Sequence, residues 1–436
     1  MATAKERNLA LKADALDARL AAMDLPKGGF TATARADALA RLKAMGLPGR
    51  RDEYWRWTNP TALNAPEAPE AAIFNPKDER ANFDTFERVR LVFVDGVFSE
   101  DLSDDLVNTG VEISRLAEAD AADIHWAQSL YGKLEADGQK PVDRPYAALN
   151  TAAATDGLLI KVTGQAAKPV HIDYLHEDTT SDAILHHVVK LEEGAEITLL
   201  ESGAAAARFS IVTEVDVAKG AKFHHIRVQG RSQERLANTH IFTRVGEEGL
   251  FKSFTMTSNG QLTRNECVID IVGDNAMAHV AGAAVGDGRK GPFHHDDTVF
   301  ITHGALNGES RQVFKKVLKN GAQGIFQGKI LVKEGAQKTD GYQISQSLLL
   351  DGDSQFLAKP ELEIYADDVA CSHGSTTGAI DETALFYLRS RGVPKGIAVN
   401  LLVLSFMADA VEEIEDEALR DDVLSRLEGW LARHAS

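Results

Sequence analysis

The chain has 436 residues, of which 44% are hydrophobic and 26% are charged, and its formal net charge at pH 7 is −18. A chain of this length exceeds the usual size of one hydrophobic core, so we expect two or three structural regions. The negative charge, with no basic stripe carrying interleaved aromatic residues, excludes a general nucleic-acid binder and disfavours anionic membranes.

The N-terminal stretch alternates charged residues with alanine and leucine, so it does not resemble a secretory signal. The longest apolar stretch, residues 397–411, is too short to span a bilayer and contains Asn400 and Asp409. Two cysteines, Cys267 and Cys371, are too few for a disulfide framework. We therefore expect a reducing, cytoplasmic location.

The first predicted region, residues 1–150, is helical and mixed. Apolar residues spaced by threes and fours predict a helix near the start, and a second helix ends at Gly46, a residue typical of the C′ position. Three aromatic residues follow closely, namely Tyr54, Trp55 and Trp57. We interpret this segment as a loop whose rings pin the helices to the next region, with a ligand site as the alternative.

The second predicted region, residues 151–374, consists of short β-rich runs separated by turns. Several of these turns carry Gly-Ala, for example at Gly194, Gly220, Gly321 and Gly335. Because no helices separate the runs, a sheet built from βαβ units is excluded. The region is long for a single sandwich, so a β-solenoid fits best, and two consecutive barrels or cupins are the alternative.

The third predicted region, residues 375–436, is helical. Asp381 is a candidate N-cap, its helix ends at Gly392, and Pro394 begins a longer helix. A final helix places five apolar side chains on one stripe, namely Leu419, Val423, Leu427, Trp430 and Leu431. Three helices are too few for a core of their own, so their apolar faces should pack on the solenoid or on another protein.

Common motifs for ATP and structural zinc are absent. Residues 324–330, GIFQGKI, contain Gly-Lys but have neither the spacing nor the Ser or Thr of an ATP-binding P-loop. No Cys-x-x-Cys pair or His-Glu-x-x-His helix occurs, so the sequence predicts no closed structural zinc site.

Three histidine pairs lie in the β region, at positions 186–187, 224–225 and 294–295, near His279 and His303. Neighbouring residues on a strand point to opposite faces, so each pair supplies at most one imidazole to a given face. We interpret these histidines as satisfied polar residues on an outer sheet face. The alternative is a cupin-type metal site, to which the segment HHDDTVFITH is a loose match.

Residues 361–374, ELEIYADDVACSHG, place Cys371 two residues before His373. Leu362 and Ile364 share one apolar face, and in an extended strand without a bulge Cys371 and His373 fall on the other, outward face. Such a pair can ligate a soft or borderline metal, or the histidine can lower the pKa of the thiol. Two ligands do not complete a tetrahedral site, so others must come from the rest of the chain or from a partner. The alternative is an inert strand end.

Residues 359–392, KPELEIYADDVACSHGSTTGAIDETALFYLRSRG, closely resemble the C-terminal signature of the SufB/SufD family, and of its SufD branch in particular. These proteins are scaffold subunits of the SUF iron–sulfur cluster assembly machinery. Three upstream segments also resemble parts of the family. Residues 50–59 resemble its N-terminal aromatic segment, residues 146–162 its entry into the β-helix, and residues 324–350 its final coils. SufB-like chains tend to carry an acidic–His–acidic pattern where this chain has Cys371 to Gly374.

The resemblance implies a mainly β fold, with a right-handed parallel β-helix core flanked by N-terminal and C-terminal α-helical regions. It implies a non-enzymatic scaffold that pairs with SufB along the β-helix and docks the SufC ATPase through the C-terminal helices. ATP chemistry would then belong to SufC. An iron–sulfur cluster would be shared transiently with SufB, none would be tightly bound by the chain alone, and the isolated chain could form a homodimer.

The resemblance also implies roles for individual residues. His373 would be a ligand of iron or of the cluster, or a proton donor during assembly, and Cys371 would be an auxiliary thiol beside it. Candidate residues for docking the ATPase are apolar and lie on the C-terminal helices, namely Phe386, Tyr387, Leu401, Leu402 and Phe406. Packing against the β-helix is the alternative for each of them. A SufB-like paralogue, or a β-helix or cupin-type metal enzyme, is the alternative function.

Overall fold

A computed structural model describes residues 4–74, 81–230 and 232–434 of the chain. It confirms a mainly β fold with a β-solenoid core of about 8 turns and helices toward both termini. The solenoid is built from two ten-stranded sheets, and successive strands of its coils alternate between them. The alternative of two barrels or cupins is therefore wrong.

The strands, in chain order, are β1 (Val89–Val94), β2 (Val97–Ser99), β3 (Val107–Asn108), β4 (Val111–Arg115), β5 (Leu158–Val162), β6 (Val170–Leu175), β7 (Asp182–Leu191), β8 (Glu196–Gly203), β9 (Arg208–Val217), β10 (Lys222–Gln229), β11 (Leu236–Val245), β12 (Leu250–Ser258), β13 (Leu262–Ile271), β14 (Met277–Asp287), β15 (His294–His303), β16 (Glu309–Lys319), β17 (Gln323–Val332), β18 (Asp340–Leu349), β19 (Gln355–Ile364) and β20 (Ala370–Gly378). Sheet A has the order β2-β1-β6-β8-β10-β12-β14-β16-β18-β20. Sheet B has the order β19-β17-β15-β13-β11-β9-β7-β5-β4-β3. Pairing is parallel from β5 onward, and the antiparallel pairs lie at the N-terminal end.

The largest apolar core lies between sheets A and B, in the space that we call the solenoid interior. Inward side chains such as Leu199, Phe223 and Ile269 are buried there. The predicted Gly-Ala turns join successive strands, and Gly194 and Gly220 have φ values of 69° and 64°. These backbone angles are accessible to glycine at little cost, which explains why glycine recurs at these turns.

Helices from the N-terminal region cover the outer face of sheet B. They are α1 (Ala4–Ala21), α2 (Ala32–Met45), α3 (Thr61–Asn64), α4 (Leu116–Ala119), α5 (Lys133–Asp137) and α6 (Pro145–Ala153). α2 ends at Gly46, as predicted. Leu42 and Tyr146 share an apolar cluster with Ile184 and Leu236 of the sheet.

The aromatic segment after α2 pins the N-terminal region to sheet B, as predicted. Tyr54 and Trp55 are buried. The Arg264 guanidinium lies 4.2 Å from the centre of the Trp55 ring, and the Tyr54 ring packs edge-on against Phe300 at 5.1 Å. These contacts fix the segment by ring packing and cation–π attraction together.

Buried charges surround this attachment. Arg264 and Arg144 both donate to Glu266, at 2.8 Å and 3.0 Å, and Arg264 also pairs with Asp296. Burial alone would raise the pKa of Glu266, but the Arg264 and Arg144 guanidinium groups and His240 lower it to about 2. The carboxylate therefore stays ionised inside the protein because two cations neutralise it.

The described C-terminal residues form the helices α7 (Glu382–Ser390), α8 (Lys395–Val411) and α9 (Glu417–Arg433), and α8 and α9 cover the outer face of sheet A. Buried side chains of α8 and α9, which include the predicted stripe on α9, form one cluster with outward residues of the sheet such as Phe254 and Val313, and α7 packs against α8. Asp381 caps α7, as predicted, by accepting from the backbone of Thr383 and Ala384. The solenoid thus completes the core of this helical unit. Among the helices of the described residues, none combines the length and the apolar composition that a membrane span requires.

Replacing Glu266 with Gln should destabilise the chain by about 3–5 kcal/mol, because two buried guanidinium groups would lose their shared charge partner. Urea unfolding at neutral pH measures this loss. The matched control is Glu247→Gln, which removes an exposed ion pair with Lys219 and should change stability little. Equal losses in the two variants would contradict the role of the buried network.

The pH dependence of this stabilisation has a defined direction. Because folding lowers the pKa of Glu266, the ionised carboxylate makes its full contribution to the free energy of unfolding above the unfolded-state pKa of about 4.3. The contribution should be lost as the pH falls from there toward about 2. Unfolding measured over this range should therefore show a smaller acid loss in the Glu266→Gln variant than in the unmodified chain.

Candidate functional site

The solenoid is uncovered at its C-terminal end. β20 and β19 are the last strands of sheets A and B, and no strand of the described ranges pairs with their outer edges. Most β20 side chains are exposed, whereas alternate β18 side chains are buried. An unpaired edge of this kind presents backbone donors and acceptors to other chains.

Cys371 and His373 lie on β20, in register with Gly341 and Gln343 of β18. Both β18 residues are buried, and a Cβ on Gly341 would lie 3.4 Å from the Ile330 side chain in the interior. Residues two apart on a strand share a face, so Cys371 and His373 both face the interior. The expectation that they point outward is therefore wrong.

The turn at residues 365–369 accounts for this difference. In β19 the predicted alternation holds, because Leu362 and Ile364 are in register with buried residues of the preceding coil. The chain then leaves sheet B, turns, and enters sheet A. Alternation starts again in the new strand, so the face of Cys371 cannot be counted from Leu362.

Although Cys371 and His373 face the interior, they are not enclosed there, because no described coil follows β20. His373 is exposed, and Cys371 is half-buried against an apolar cluster that contains Ile330, Leu362 and Val369. The thiol and the imidazole therefore line the open end of the solenoid. Their participation in cluster assembly stays a prediction.

The Cys371 thiol is not an activated nucleophile. Burial raises its pKa, the hydrogen bond with the Gly341 backbone opposes this shift, and the nearby Asp340 carboxylate adds to it. His373 is not among the groups that shift this pKa. The thiol is largely protonated at neutral pH, in contrast to the lowered pKa that a neighbouring histidine can produce.

In the described parts of the chain, no group of three or more His, Cys, Asp or Glu side chains is arranged to hold a metal ion. Cys371 and His373 offer one sulfur and one nitrogen ligand. Tetrahedral iron and zinc centres use four ligands. The open end of the solenoid therefore presents half of such a ligand set.

The three histidine pairs divide between the two faces of their strands, as alternation requires. The first members face outward beneath the covering helices, where His186 lies 2.9 Å from Glu214. The second members face the interior, where His225 lies 3.0 Å from Glu201. Most of these histidines have polar partners, as predicted, but the Nδ1 of His303 is buried without one. The predicted placement on an outer face is wrong for His187, His225, His295 and His303, the last of which is in register with the interior residue Ile271. His294 and His295 face opposite sides, so the cupin-type arrangement is also wrong.

Sequence reasoning missed a buried polar network in the interior. Arg227 donates to Glu201 at 2.9 Å and to Thr239 of the opposite sheet at 3.0 Å. Although burial raises the pKa of Glu201, Arg227 and His225 hold it well below its usual range. The sequence signal for this network was the alternation of polar and apolar residues along β10. The apolar face of β10 is the outer one, which the helices cover, so the polar face lies in the interior.

The residues predicted to dock an ATPase separate into two groups. Phe386, Tyr387 and Leu401 are 73%, 54% and 46% exposed. Phe406 instead packs against the solenoid, with the Lys315 ammonium 4.8 Å from its ring centre, and Leu402 is half-buried. Sequence reasoning missed Ile397, which is 54% exposed at the start of α8. We call the four exposed residues, Phe386, Tyr387, Ile397 and Leu401, the α7–α8 surface.

Comparisons with known proteins match nearly the whole chain. A family model of the SufBD core domain of the SUF iron–sulfur cluster assembly system matches residues 174–406, and a model of the SufBD N-terminal region matches residues 27–172. The iron–sulfur cluster assembly protein SufD of Escherichia coli is 30% identical, over 89% of this chain and 90% of its own length. SufD of Bacillus subtilis is 26% identical over 75% of each chain, and a SufBD family protein of Synechocystis is 27% identical over 87% and 86%.

The two thiols should differ in reactivity toward a disulfide reagent such as Ellman's reagent. At a dilution at which the chain is monomeric, Cys371 should react in the native chain, faster at about pH 9 than at about pH 7, because its raised pKa leaves little thiolate at neutral pH. Cys267 should react only after unfolding, because it is buried and burial raises its pKa to about 12. Cys371→Ser should abolish the native reaction and Cys267→Ser should preserve it. Equal native reactivity of both thiols would contradict their placement.

Proposed function

Because this chain belongs to the SufBD family of iron–sulfur cluster assembly proteins, we propose that it acts in the SUF system as a SufD-type, non-enzymatic scaffold subunit. The observation that carries this proposal is the open terminal coil, where Cys371 and His373 face the uncovered interior. A shared assembly site needs ligands that a second protein can reach, and this coil offers them.

The edges of the terminal coil support pairing with SufB. β19 and β20 are strands of 10 and 9 residues that are unpaired along one side. Long edges of this kind accept a strand from another chain through main-chain hydrogen bonds. A partner with the same solenoid architecture would continue both sheets and cover the inward side chains. In the isolated chain a second copy would take that place, giving a homodimer.

We assign Cys371 and His373 to a transient cluster site that SufB completes. A thiol and an imidazole on one face suit iron, and the remaining ligands would come from across the interface. His373 would bind iron or the cluster, or donate a proton during assembly, while Cys371 would be an auxiliary thiol. Iron and sulfide are the cargo of this site, so the isolated chain would hold no cluster tightly.

The α7–α8 surface is the proposed docking site for the SufC ATPase. It exposes two aromatic and two aliphatic side chains on adjoining helices. Apolar helix faces of this kind commonly dock in a groove of a partner. ATP hydrolysis would then belong to SufC, which accords with the absence of a P-loop from this sequence.

Replacing His373 with Ala should preserve folding and assembly with SufB and SufC but reduce cluster formation about tenfold or more, because a ligand is lost. The measurement is co-purification of the three proteins, followed by anaerobic reconstitution with ferrous iron and sulfide and quantification of the cluster by absorbance. The matched control is Ser372→Ala, an exposed neighbour on the opposite face, which should reconstitute normally. Undiminished cluster formation by the His373→Ala complex would overturn the assignment.

The double substitution Phe386→Ser and Leu401→Ser should weaken SufC binding about tenfold or more, because two apolar anchors are removed. Binding of SufB should not change. Isothermal titration with each partner measures both affinities. The matched control is Ile124→Ser, which removes an apolar side chain that is 85% exposed in the N-terminal region. Normal SufC binding by the double variant would exclude this surface.

Deleting the C-terminal helices would be a poorer test of this docking surface. Val403 and Met407 of α8 are fully buried in the cluster that covers sheet A. Their removal would expose an apolar sheet face, and loss of binding would then reflect misfolding.

A further inference from the structure

A column of polar side chains lies directly behind His373 in the solenoid interior. Gln312 of β16, Gln343 of β18 and His373 of β20 occupy matching positions of three successive coils. Gln312 and Gln343 are fully buried. The Gln343 amide Nε2 donates to the Gln312 Oε1 at 2.7 Å, whereas the Gln343 Oε1 and the Gln312 Nε2 are both buried without a hydrogen-bond partner. Leaving a buried carbonyl unpaired is unfavourable, so the position calls for a donor.

The opposite sheet is shaped to receive the Gln343 carboxamide. Gly328 of β17 lies across the interior, and a Cβ there would overlap the Gln343 Nε2 and lie 2.7 Å from its Cδ. Any larger residue would therefore displace the carboxamide. Gly328 belongs to the segment GIFQGKI, whose Gly-Lys is not part of a phosphate-binding loop. Its glycine makes room for Gln343.

Neighbouring positions on the same two strands bond across the coil boundary. Ser345 and Ser375 are joined side chain to side chain at 3.1 Å, and Ser347 and Thr377 at 3.3 Å. Adjacent strands lie about 4.8 Å apart, a separation that paired inward side chains can bridge. Gln343 and His373 are the next pair in this ladder, and both are longer than serine.

We propose that Gln343 is a positioning residue that accepts a hydrogen bond from one ring nitrogen of His373 through its free Oε1. This inference rests on the proposed role of His373 as a cluster ligand. The bond fixes the tautomer, so the other ring nitrogen keeps its lone pair and faces the open end of the coil. Metal-binding histidines generally have their second nitrogen held by such an acceptor, which orients the ring and raises its basicity.

The first test uses the isolated chain and requires no cluster. In protein labelled with ¹⁵N-histidine, long-range proton–nitrogen correlation spectra report the tautomer of His373, assigned with the His373→Ala variant. The unmodified chain should show one dominant tautomer. Gln343→Met, which keeps the length but removes the acceptor, should give a mixture, and Gln343→Glu, which keeps an acceptor, should restore the single form.

Two further variants keep the test decisive. Gly328→Ala leaves both partners in place but displaces the carboxamide, so it should also give a mixture of tautomers. Ser345→Ala is the matched control, because it alters the neighbouring rung of the same strand and should leave the His373 spectrum unchanged. Thermal melting confirms that each variant is folded. An unchanged tautomer in folded Gln343→Met and Gly328→Ala, or a wild-type ring whose inward nitrogen carries no proton, would overturn the proposal.

The second test is cluster reconstitution on the complex with SufB and SufC. Gln343→Met should reduce cluster formation about tenfold or more, Gln343→Glu should restore most of it, and Ser345→Ala should have no effect. The two tests separate the two proposals. A changed tautomer with normal cluster formation would contradict the part of Gln343 in cluster formation, whereas an unchanged tautomer would refute positioning by Gln343. In both cases the role of His373 as a ligand is decided separately by the His373→Ala variant.

Discussion

Parallel backbone pairing between successive coils is the constraint on which this structure depends. Each strand of the central coils pairs in fixed register with the coil before it and the coil after it. A residue of these coils therefore lies next to the residue at the same position one coil earlier. Columns such as Gln312, Gln343 and His373 arise in this way without a local motif. The pairing ends at β20 without a partner strand among the described residues. The candidate site follows from this termination and not from a specialised loop.

The two sheets are covered by different kinds of interaction. Sheet B is covered by apolar contacts, such as Leu42 near Ile184, and also by buried ion pairs and aromatic rings, so part of the attachment depends on the alignment of groups such as Arg264 and Glu266. Sheet A is covered mainly by apolar side chains of α8 and α9, with ion pairs such as Lys252–Glu415 at the margin. Apolar burial is non-directional and tolerates small displacements, whereas removal of one partner from a buried ion pair is costly. The C-terminal helices therefore have the attachment better suited to movement.

The sequence predicted the fold in outline because the relevant signals are local. The repeated turns, the Asp381 cap and the Leu419 stripe depend on a few neighbouring residues, and all three occur in the structure. The face of Cys371 was not predictable in the same way, because counting alternation across residues 365–369 assumes one continuous strand. The burial of the histidine pairs was also not predicted, since burial depends on which helices cover each sheet. Alternation assigns a residue to a face, but tertiary packing decides whether that face meets solvent, a helix or the other sheet.

The proposed cluster residues and the proposed ATPase surface belong to one continuous stretch of chain. Only residues 379–381 separate β20 from α7, and Asp381 begins the helix by capping two of its backbone amides. Leu385 then anchors α7 by burial, while Phe386 and Tyr387 remain exposed. No long loop lies between the two elements to absorb a displacement. Under the proposed function, a partner that shifts α7 would therefore also act on β20, whose outer edge has no strand to hold it and whose inner side carries His373.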